Sequence, residues 1–544
     1  MEKIRLLELI NILRNYKINF EVYDPLNLAP KLIIEDIFSD TREVEKSSKN
    51  PENSILFIAI KGEKFDGHSK IFQIAPRCKV ILIENIEFLE NKIDLNSFCI
   101  NNNIVVIKSN NNRLMMAYLY KIRYDNIDEK LNIFAITGTD GKTSMVTILH
   151  LLFSNLFSLS ASIGTLGVNV NGNKIEFNQT TPTTPEIKDI YNIFNQLYQK
   201  GVKTIFMEAT SIASVQKRVA SISFDSLSFT TMTSDHLDFH KSLENYYEAK
   251  LAFIDQLANS KKDVKSLLFN LDDANSELVI RRLKRYKDIF SLSFGYNELS
   301  DFKIIKTEYI DRLLNIKIEI SERLTKLYNI PEAKKIIEIK TNLIGRVNSY
   351  NIAHSVAQIF DYLIIHQKQN INQFFYSIEK AKDLFTQLII PGRMERIEFK
   401  NNDIFIDYAH TADSLKNAIL TLKEAGYKKV ITVMGCGGDR DKTKRPEMGR
   451  ISTELSDIVI VTSDNPRSEE PEQIIEDIIE GIKKDNYFVE IDRKKAIEKA
   501  FDLLKTEKGN TALLIAGKGH EDYQEIKGIK YHFSDKEVVE NLIY

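Results

Sequence analysis

Between residues 132 and 153 an apolar run, Asn-Ile-Phe-Ala-Ile-Thr, leads into Gly-Thr-Asp-Gly-Lys-Thr-Ser and then into a helical pattern. A strand that turns through glycines into a helix aims successive backbone N–H groups and a helix N-terminus at one point, and that geometry binds phosphate. Gly138 and Gly141 let the backbone approach closely, Lys142 reaches the β- and γ-phosphates, Thr143 offers a hydroxyl to Mg²⁺, and Thr139, Asp140 and Ser144 complete the loop. The first glycine of the usual pattern falls at Ile136, so this is a shortened phosphate loop. ATP is the expected ligand. A second constellation is Ser-Asp-His-Leu-Asp-Phe-His (234–240), followed ten residues later by Lys250. Alone it reads equally as helix capping by Asp235 beside a surface histidine. With Glu208, which ends the apolar run 204–209, His236 forms a candidate Mg²⁺ site of hard oxygen and imidazole donors.

These residues need parallel strands to carry them. Short β-branched runs alternate with longer helical patterns, the rhythm of α/β domains with largely parallel sheets. Three blocks are expected: a smaller α/β block at 1–128, a central phosphate-loop block at 129–388 with a mostly parallel sheet, and a Rossmann-like α/β block at 389–544. The first has strand candidates at 54–60 and 104–107, a helix over 113–124, and a polar stretch at 125–130 read as a linker. The second has strands at 132–137, 204–209, 225–230 and 266–270, with an alternating, Ile-rich segment at 296–340 that suits an antiparallel edge or side sheet. The third has strands at 403–407, 429–435, 457–462 and 512–517, almost all followed by polar or glycine-rich residues, where ligands sit in open α/β sheets.

Composition narrows the classes. In 544 residues, 74 Lys and Arg nearly cancel 76 Asp and Glu, so bulk charge calls for neither nucleic acid nor an anionic membrane. Three scattered cysteines make no disulfide framework or zinc site and fit a reducing compartment. The N-terminal twenty residues space their apolar positions like an amphipathic helix interrupted by charge, unlike a signal peptide or membrane span. A cytoplasmic, monomeric protein is expected.

At this point the chain resembles the Mur ligase family, the ATP-dependent amide-forming enzymes of peptidoglycan synthesis. The resemblance runs through GTDGKTS, SDHLDFH with Lys250, NLDD (270–273), GRVNSYN (345–351), PGRMERI (391–397), DYAHTADSL (407–415) and DRKKAI (492–497), in order along nearly the whole chain. SDTR (39–42), TTPE (183–186), MEATSIASVQKRV (207–219), GCGGDRDKTKRPEMG (435–449), SDNPRSEEP (463–471) and AGKGHEDYQ (516–524) resemble the branch that adds the third amino acid to a UDP-linked muramoyl dipeptide. The resemblance implies a nucleotide-sugar domain, an ATPase and an amino-acid domain in that order. Thr41, Arg42, Thr183, Thr184, Thr210, Gln216 and Arg218 would line the path of the UDP-sugar dipeptide. Asn270, Asp273, Asn351, Arg393 and Asp407 would contact ATP, and Lys142, Glu208, His236 and Lys250 would serve catalysis. Thr143, Glu208, His236 and Lys250, the last as a carbamate formed with CO₂, would hold Mg²⁺. Asp140, Ile212, Thr231 and Ala412 stand where the family usually has Asn, His, Asn and Pro.

The chemistry implied is carboxylate activation. A carboxylate and a γ-phosphate about 4 Å apart repel by roughly 4 kcal/mol at an effective dielectric near 20, so cations must offset them. His410 is a candidate base for the amine, although in the family its segment serves nucleotide binding. For the diamino acid, the resemblance implies Arg440, Asp464, Asn465, Pro466, Arg467, Gly517 and Glu521. A planar guanidinium at Arg467 suits the distal carboxylate of meso-diaminopimelate, whereas lysine and ornithine end in an ammonium. Those two amino acids, a folylpolyglutamate synthetase-like ligase and a non-catalytic nucleotide-binding scaffold are the alternatives.

Overall fold

The computed structural model describes residues 3–47, 54–62, 65–84, 94–177, 181, 183–233 and 235–543. Ser234 of the His236 element therefore lies outside the described residues. Two compact units form: Met1–Asp140 with Phe157–Leu267 and Glu277–Phe290, and Gly141–Leu156 with Leu268–Ser276 and Ser291–Tyr544.

In the first unit, the N-terminal sheet runs in the order 20–23, 105–109, 80–84, 55–58, 36–38, parallel except at its first pair. The runs Ile55–Ile58 and Val80–Ile83 are buried residue after residue, as parallel strands covered on both faces are. The N-terminal helix spans Leu6–Asn15 and buries Leu6, Leu9, Ile10 and Leu13, one stripe at helical spacing. It starts later than its apolar spacing suggests because Ile4–Arg5 pairs with Ile33–Ile34. The polar stretch 125–130 is a tight turn, with a 3₁₀ segment at Ile127–Lys130. Its Asp128 is fully buried, accepting from Lys121 Nζ at 2.5 Å and from Ser223 N–H at 2.9 Å.

The strand Asn132–Thr137 lies parallel between Thr204–Glu208 and Ser226–Phe229, and Ser160–Gly164 continues the sheet into an antiparallel hairpin, Gly167–Val170 and Asn173–Ile175. Register places Glu208 opposite Ile136, so the glutamate sits beside the strand end that becomes the phosphate loop.

In the second unit, Lys142–Leu156 packs with the helices Arg346–Phe360 and Ile371–Thr386. The Ile-rich segment forms an antiparallel meander of Phe302–Ile310, Leu313–Ile320 and Ile336–Thr341, as its alternation indicates. The last sheet has the order 395–399, 402–407, 511–516, 429–434, 458–461, 487–489, all parallel beyond its first hairpin. Helices 412–424, 444–455 and 471–479 bury apolar residues in one core, while 493–506 and 535–543 bury theirs in another, so the sheet is covered on both faces. Four neighbouring parallel strands thus release their loops at one edge, after Asp407, Met434, Val461 and Ala516. Among the described residues, no helix is long and apolar enough to cross a membrane.

Candidate functional site

In the first unit the phosphate loop is shaped from outside itself. Gly138 has φ 149°, and a Cβ there would stand 1.9 Å from Thr230 Oγ1, so no other residue fits. Thr231 carbonyl oxygen accepts from Thr139 N–H at 2.6 Å, Thr231 Oγ1 accepts from Asp140 N–H at 3.1 Å, and Thr230 Oγ1 donates to the Asp140 carbonyl at 2.5 Å. Two of the sequence's departures, Asp140 and Thr231, therefore meet. The threonine hydroxyl holds the backbone of the aspartate, whose side chain is exposed.

Lys250 lies on the helix Leu243–Ala258, is 1% exposed, and donates from Nζ to the Gly138 carbonyl at 2.5 Å. The Tyr246 ring centroid is 4.7 Å from Nζ, one helical turn earlier, and the Tyr246 hydroxyl bonds Thr139 Oγ1 at 2.8 Å. Burial pushes the Tyr246 phenol well up, so it stays neutral and able to donate. One helix face thus grips the loop at two successive residues. Tyr246 was missed by sequence reasoning, although its i, i+4 spacing to Lys250 is visible in YYEAK.

Glu208 is 1% exposed and its carboxylate accepts from Thr165 N–H at 2.7 Å and from Thr165 Oγ1 at 3.3 Å. A Cβ on Gly164 would come within 2.2 Å of Glu208 Oε1. His236 immediately precedes the short helix Leu237–His240. It has a left-handed backbone (φ 51°), is about half exposed, and has Asp235 Oδ2 3.4 Å from its Nε2. Among the described residues no three His, Cys, Asp or Glu side chains converge as a metal cluster. His240 instead is buried, bonding Ser211 Oγ at 2.9 Å; burial and then the neighbouring His236 and Lys250 hold its pKa down.

Of the residues expected on the UDP-sugar path, Thr183, Thr184, Thr210 and Arg218 are linked around the end of the same strand. Thr184 Oγ1 donates to the Glu208 carbonyl at 2.9 Å and to Thr210 Oγ1 at 3.2 Å, and Thr183 Oγ1 is 3.0 Å from Thr165 Oγ1. Arg218 donates to the Thr184 carbonyl at 3.1 Å and pairs with Glu186 at 3.0 Å, while Gln216 caps the short helix Ser211–Val215. Glu186, which also lies 3.8 Å from Arg113, was not singled out from the sequence despite ending the TTPE run. Thr41 begins a helix at Thr41–Ser47, and Arg42 folds back on Asp40, its side chain 81% exposed.

In the second unit, Lys142, Thr143 and Ser144 occupy the first turn of the helix Lys142–Leu156, where backbone N–H groups have no intrahelical partner. Asn270 caps the turn after its strand by accepting from Asp272 N–H at 3.0 Å, and Asp273 accepts from Asn275 N–H at 2.9 Å. Asn351 donates to Asn348 Oδ1 at 2.8 Å. Arg393 lies over the Tyr408 ring at 4.8 Å, and Asp407 accepts from the N–H groups of Met394 and Ala409 at 2.7 and 2.9 Å. Burial raises the Asp407 carboxyl pKa against the lowering effect of those bonds and Arg393. His410 Nδ1 is 2.8 Å from the Tyr408 carbonyl, which only accepts. Nδ1 therefore carries a proton, leaving Nε2 of the neutral ring as the acceptor.

The loops of the last sheet interlock. Gly438 N–H donates to the Asn465 carbonyl at 2.9 Å, and a Cβ on Gly438 would meet the Pro466 carbonyl at 1.9 Å. Arg467 has a left-handed backbone (φ 53°) and donates from Nη1 to the Gly438 carbonyl at 2.8 Å. Its backbone is clasped by the hairpin 523–532, N–H to the Glu525 carbonyl at 3.0 Å and carbonyl to Lys527 N–H at 2.6 Å. Asn465 donates to Glu521 at 2.9 Å, and the fully buried Lys518 lies 3.2 Å from both Asn465 Oδ1 and Glu521 Oε2. Gly517 has φ 119°, and a Cβ there would crowd Asp464 at 2.5 Å. Arg440 is exposed on the neighbouring loop. Sequence reasoning missed what holds these loops. Buried Arg445 clamps Glu469 at 2.9 and 3.0 Å and Asp477 at 2.7 Å, and Glu469 also accepts from Asp439 N–H at 2.6 Å. The clue was charged residues at core spacing in KRPEMG, which a surface helix would not need.

Comparison with known proteins agrees with this layout. Residues 136–359 match the family described as Mur ligase middle domain, and 392–519 match Mur ligase, glutamate ligase domain. A Clostridium perfringens protein named UDP-N-acetylmuramoyl-L-alanyl-D-glutamate–2,6-diaminopimelate ligase is 32% identical over 515 residues, 94% of this chain and 95% of its own. A solved structure of a ligase of that name superposes with TM-score 0.65 at 25% identity, covering 96% of this chain and 99% of that one. A Mycobacterium tuberculosis folylpolyglutamate synthase complexed with ADP and AMPPCP shares the fold at TM-score 0.56 and 15% identity, over 74% of this chain and 92% of that one. With a relative at that identity along nearly its whole length, and a phosphate loop, Glu208 strand and Lys250 helix in the order the family's motifs require, this chain belongs to the Mur ligase family.

Proposed function

We propose that this chain is an ATP-dependent ligase that joins meso-diaminopimelate to UDP-N-acetylmuramoyl-L-alanyl-D-glutamate in peptidoglycan synthesis. The observation that carries the reading is the grip of Lys250 and Tyr246 on the phosphate loop at Gly138 and Thr139. ATP would lie on Gly138–Ser144, with Asn270, Asp273, Asn351, Arg393 and Asp407 as further contacts. The D-glutamate carboxylate attacks the γ-phosphorus, giving an acyl phosphate and ADP. The neutral amine of the diamino acid then attacks the acyl carbon and inorganic phosphate leaves. Lys142 offsets the negative charge that gathers on the transferred group.

Thr143 and Glu208 are hard oxygen donors that fit Mg²⁺, which would neutralise phosphate charge, and a carbamate on Lys250 would add a third. His236 would add an imidazole donor. The buried, loop-facing amine of Lys250 supports carbamate formation, since modification would turn a cation beside the loop into an anion able to face a metal. Thr183, Thr184, Thr210, Gln216 and Arg218, with Thr41 and Arg42, would bind the UDP-sugar dipeptide. Arg440, Asp464, Asn465, Pro466, Arg467, Gly517 and Glu521 would bind the diamino acid, with Arg467 on its distal carboxylate. We read the enzyme as a cytoplasmic monomer of three domains, 1–128, 129–388 and 389–544.

Purified protein given ATP, Mg²⁺ and the muramoyl dipeptide is expected to release phosphate fastest with meso-diaminopimelate. Faster product formation with lysine or ornithine overturns the amino acid, and stimulation by a folate and not by the muramoyl dipeptide overturns the acceptor.

A further inference from the structure

A cavity in the first unit has no part in the chemistry above. It holds about 460 Å³ and is lined by the turn after the N-terminal helix, the helix Asn112–Arg123, the loop 214–223 and the end of the helix Leu243–Ala258. Four lysines line it, Lys17, Lys121, Lys217 and Lys261, with no aspartate or glutamate and no arginine. In a chain whose charges nearly cancel, the three of these lysines that are not ion-paired among the described residues are a local concentration of positive field. Lys121 is buried and already held by Asp128 and Glu129. Among the described residues, Lys17, Lys217 and Lys261 have no carboxylate within 4.0 Å.

We propose that this cavity is a binding site for a phosphorylated small molecule. Its volume lies in the range of about 300–1,000 Å³ in which small ligands are held. Lysine ammoniums bind phosphate as mobile point charges. The paired rings of Tyr16 and Tyr118, with centroids 4.6 Å apart, give an apolar wall for the organic part. Tyr118, Asn15 and Ser214 add side-chain polar groups that have no protein partner among the described residues. Lys217 has a left-handed backbone (φ 56°) and sits between Gln216 and Arg218, so an occupant would press on the loop that carries them.

Calorimetric titration with inorganic pyrophosphate tests the site, with saturating Mg²⁺ and ADP present to fill the phosphate loop. The wild type is expected to bind one further equivalent, at least about tenfold more weakly once Lys17→Gln, Lys217→Gln and Lys261→Gln are combined, and more weakly as salt rises. The triple variant should keep ADP affinity and melting temperature; if it fails to fold, exposed Lys261→Gln alone is expected to weaken pyrophosphate severalfold. Equal binding by wild type and variant, no further equivalent in the wild type, or tighter binding of citrate than of pyrophosphate overturns the proposal. None of these readouts depends on ligase activity.

Discussion

Lys250 concentrates the most chemistry into one side chain. A primary amine buried against a backbone carbonyl and a tyrosine ring is held in place whether it stays a cation or becomes a carbamate. Lys250→Ala is expected to lower phosphate release at least about a hundredfold, in the range seen when one transition-state contact is lost. Added acetate should restore part of the rate if a carboxylate-like group is what is missing; wild-type activity, or no rescue at any acetate concentration, argues against the carbamate. Gly164 makes the complementary test at Glu208. A methyl there would stand 2.2 Å from Oε1 and 2.8 Å from Cγ and Cδ, so Gly164→Ala must displace the carboxylate. We expect a loss of about 1–3 kcal/mol of stability from overpacking together with a large fall in activity, measured by urea unfolding and phosphate release. A variant that is both stable and active would show that the position of Glu208 does not matter. At this scale a sequence speaks through residues whose type is their chemistry, such as Lys142 and Glu208. It was silent on Thr165 and Tyr246, which act by where the fold puts them, and on the left-handed backbone (φ 51°) that sets His236 beside Asp235.

Among elements, strands were legible and their clamps were not. Runs such as 132–137, 204–209 and 512–517 are apolar because both faces are covered, a pattern a single sequence carries openly. The alternation at 296–340 likewise pointed to antiparallel strands, which form the meander 302–341. A buried ion network leaves no such trace, because charged residues in a sequence read as surface. Arg445, Glu469 and Asp477 tie the loop after 429–434 to the loop after 458–461 and so fix the frame in which Arg467 sits. The hydrogen bonds from Arg445, followed by those from Asp439 N–H and Lys442, hold the Glu469 carboxyl down to about 2 from an ordinary 4.5. A depressed carboxyl pKa gives stability that is complete above about 4.5 and is lost as pH falls toward 2. Glu469→Gln should therefore lower the urea midpoint at pH 7, and the gap from wild type should shrink between pH 4.5 and 2. Its KM for the diamino acid should rise more than its KM for the muramoyl dipeptide. A gap that stays constant across that pH range would mean the ion network is not what stabilises these loops.

Across the second unit, the meander and the last sheet are joined through one buried acid. Asp403 is fully buried in the strand Asn402–Asp407. It accepts from Arg312 at the turn of the meander at 3.1 Å, from Arg396 at 3.2 Å, and from Tyr427. Arg396 also reaches the Arg312 carbonyl at 3.3 Å and Asn342 Oδ1 at 3.2 Å, and Tyr309 accepts from Gly345 N–H at 2.8 Å while packing on the core of the last sheet. The Ile-rich insertion is thus more than a sheet edge, since its far end is the platform on which the last sheet rests. Removing the acid leaves Arg396, itself 9% exposed, as a nearly buried cation whose remaining carboxylate is the exposed Glu398 at 3.6 Å, and breaking a buried pair costs about 3–5 kcal/mol in comparable cases. Asp403→Ala should accordingly unfold the last sheet first. Hydrogen exchange should show the strands 402–407 and 511–516 losing protection while the helix Lys142–Leu156, packed on 346–360 and 371–386, keeps its own. If the helix loses protection equally, the second unit unfolds as one cooperative block. The ion pair would then stabilise that block as a whole and would not act as a hinge within it.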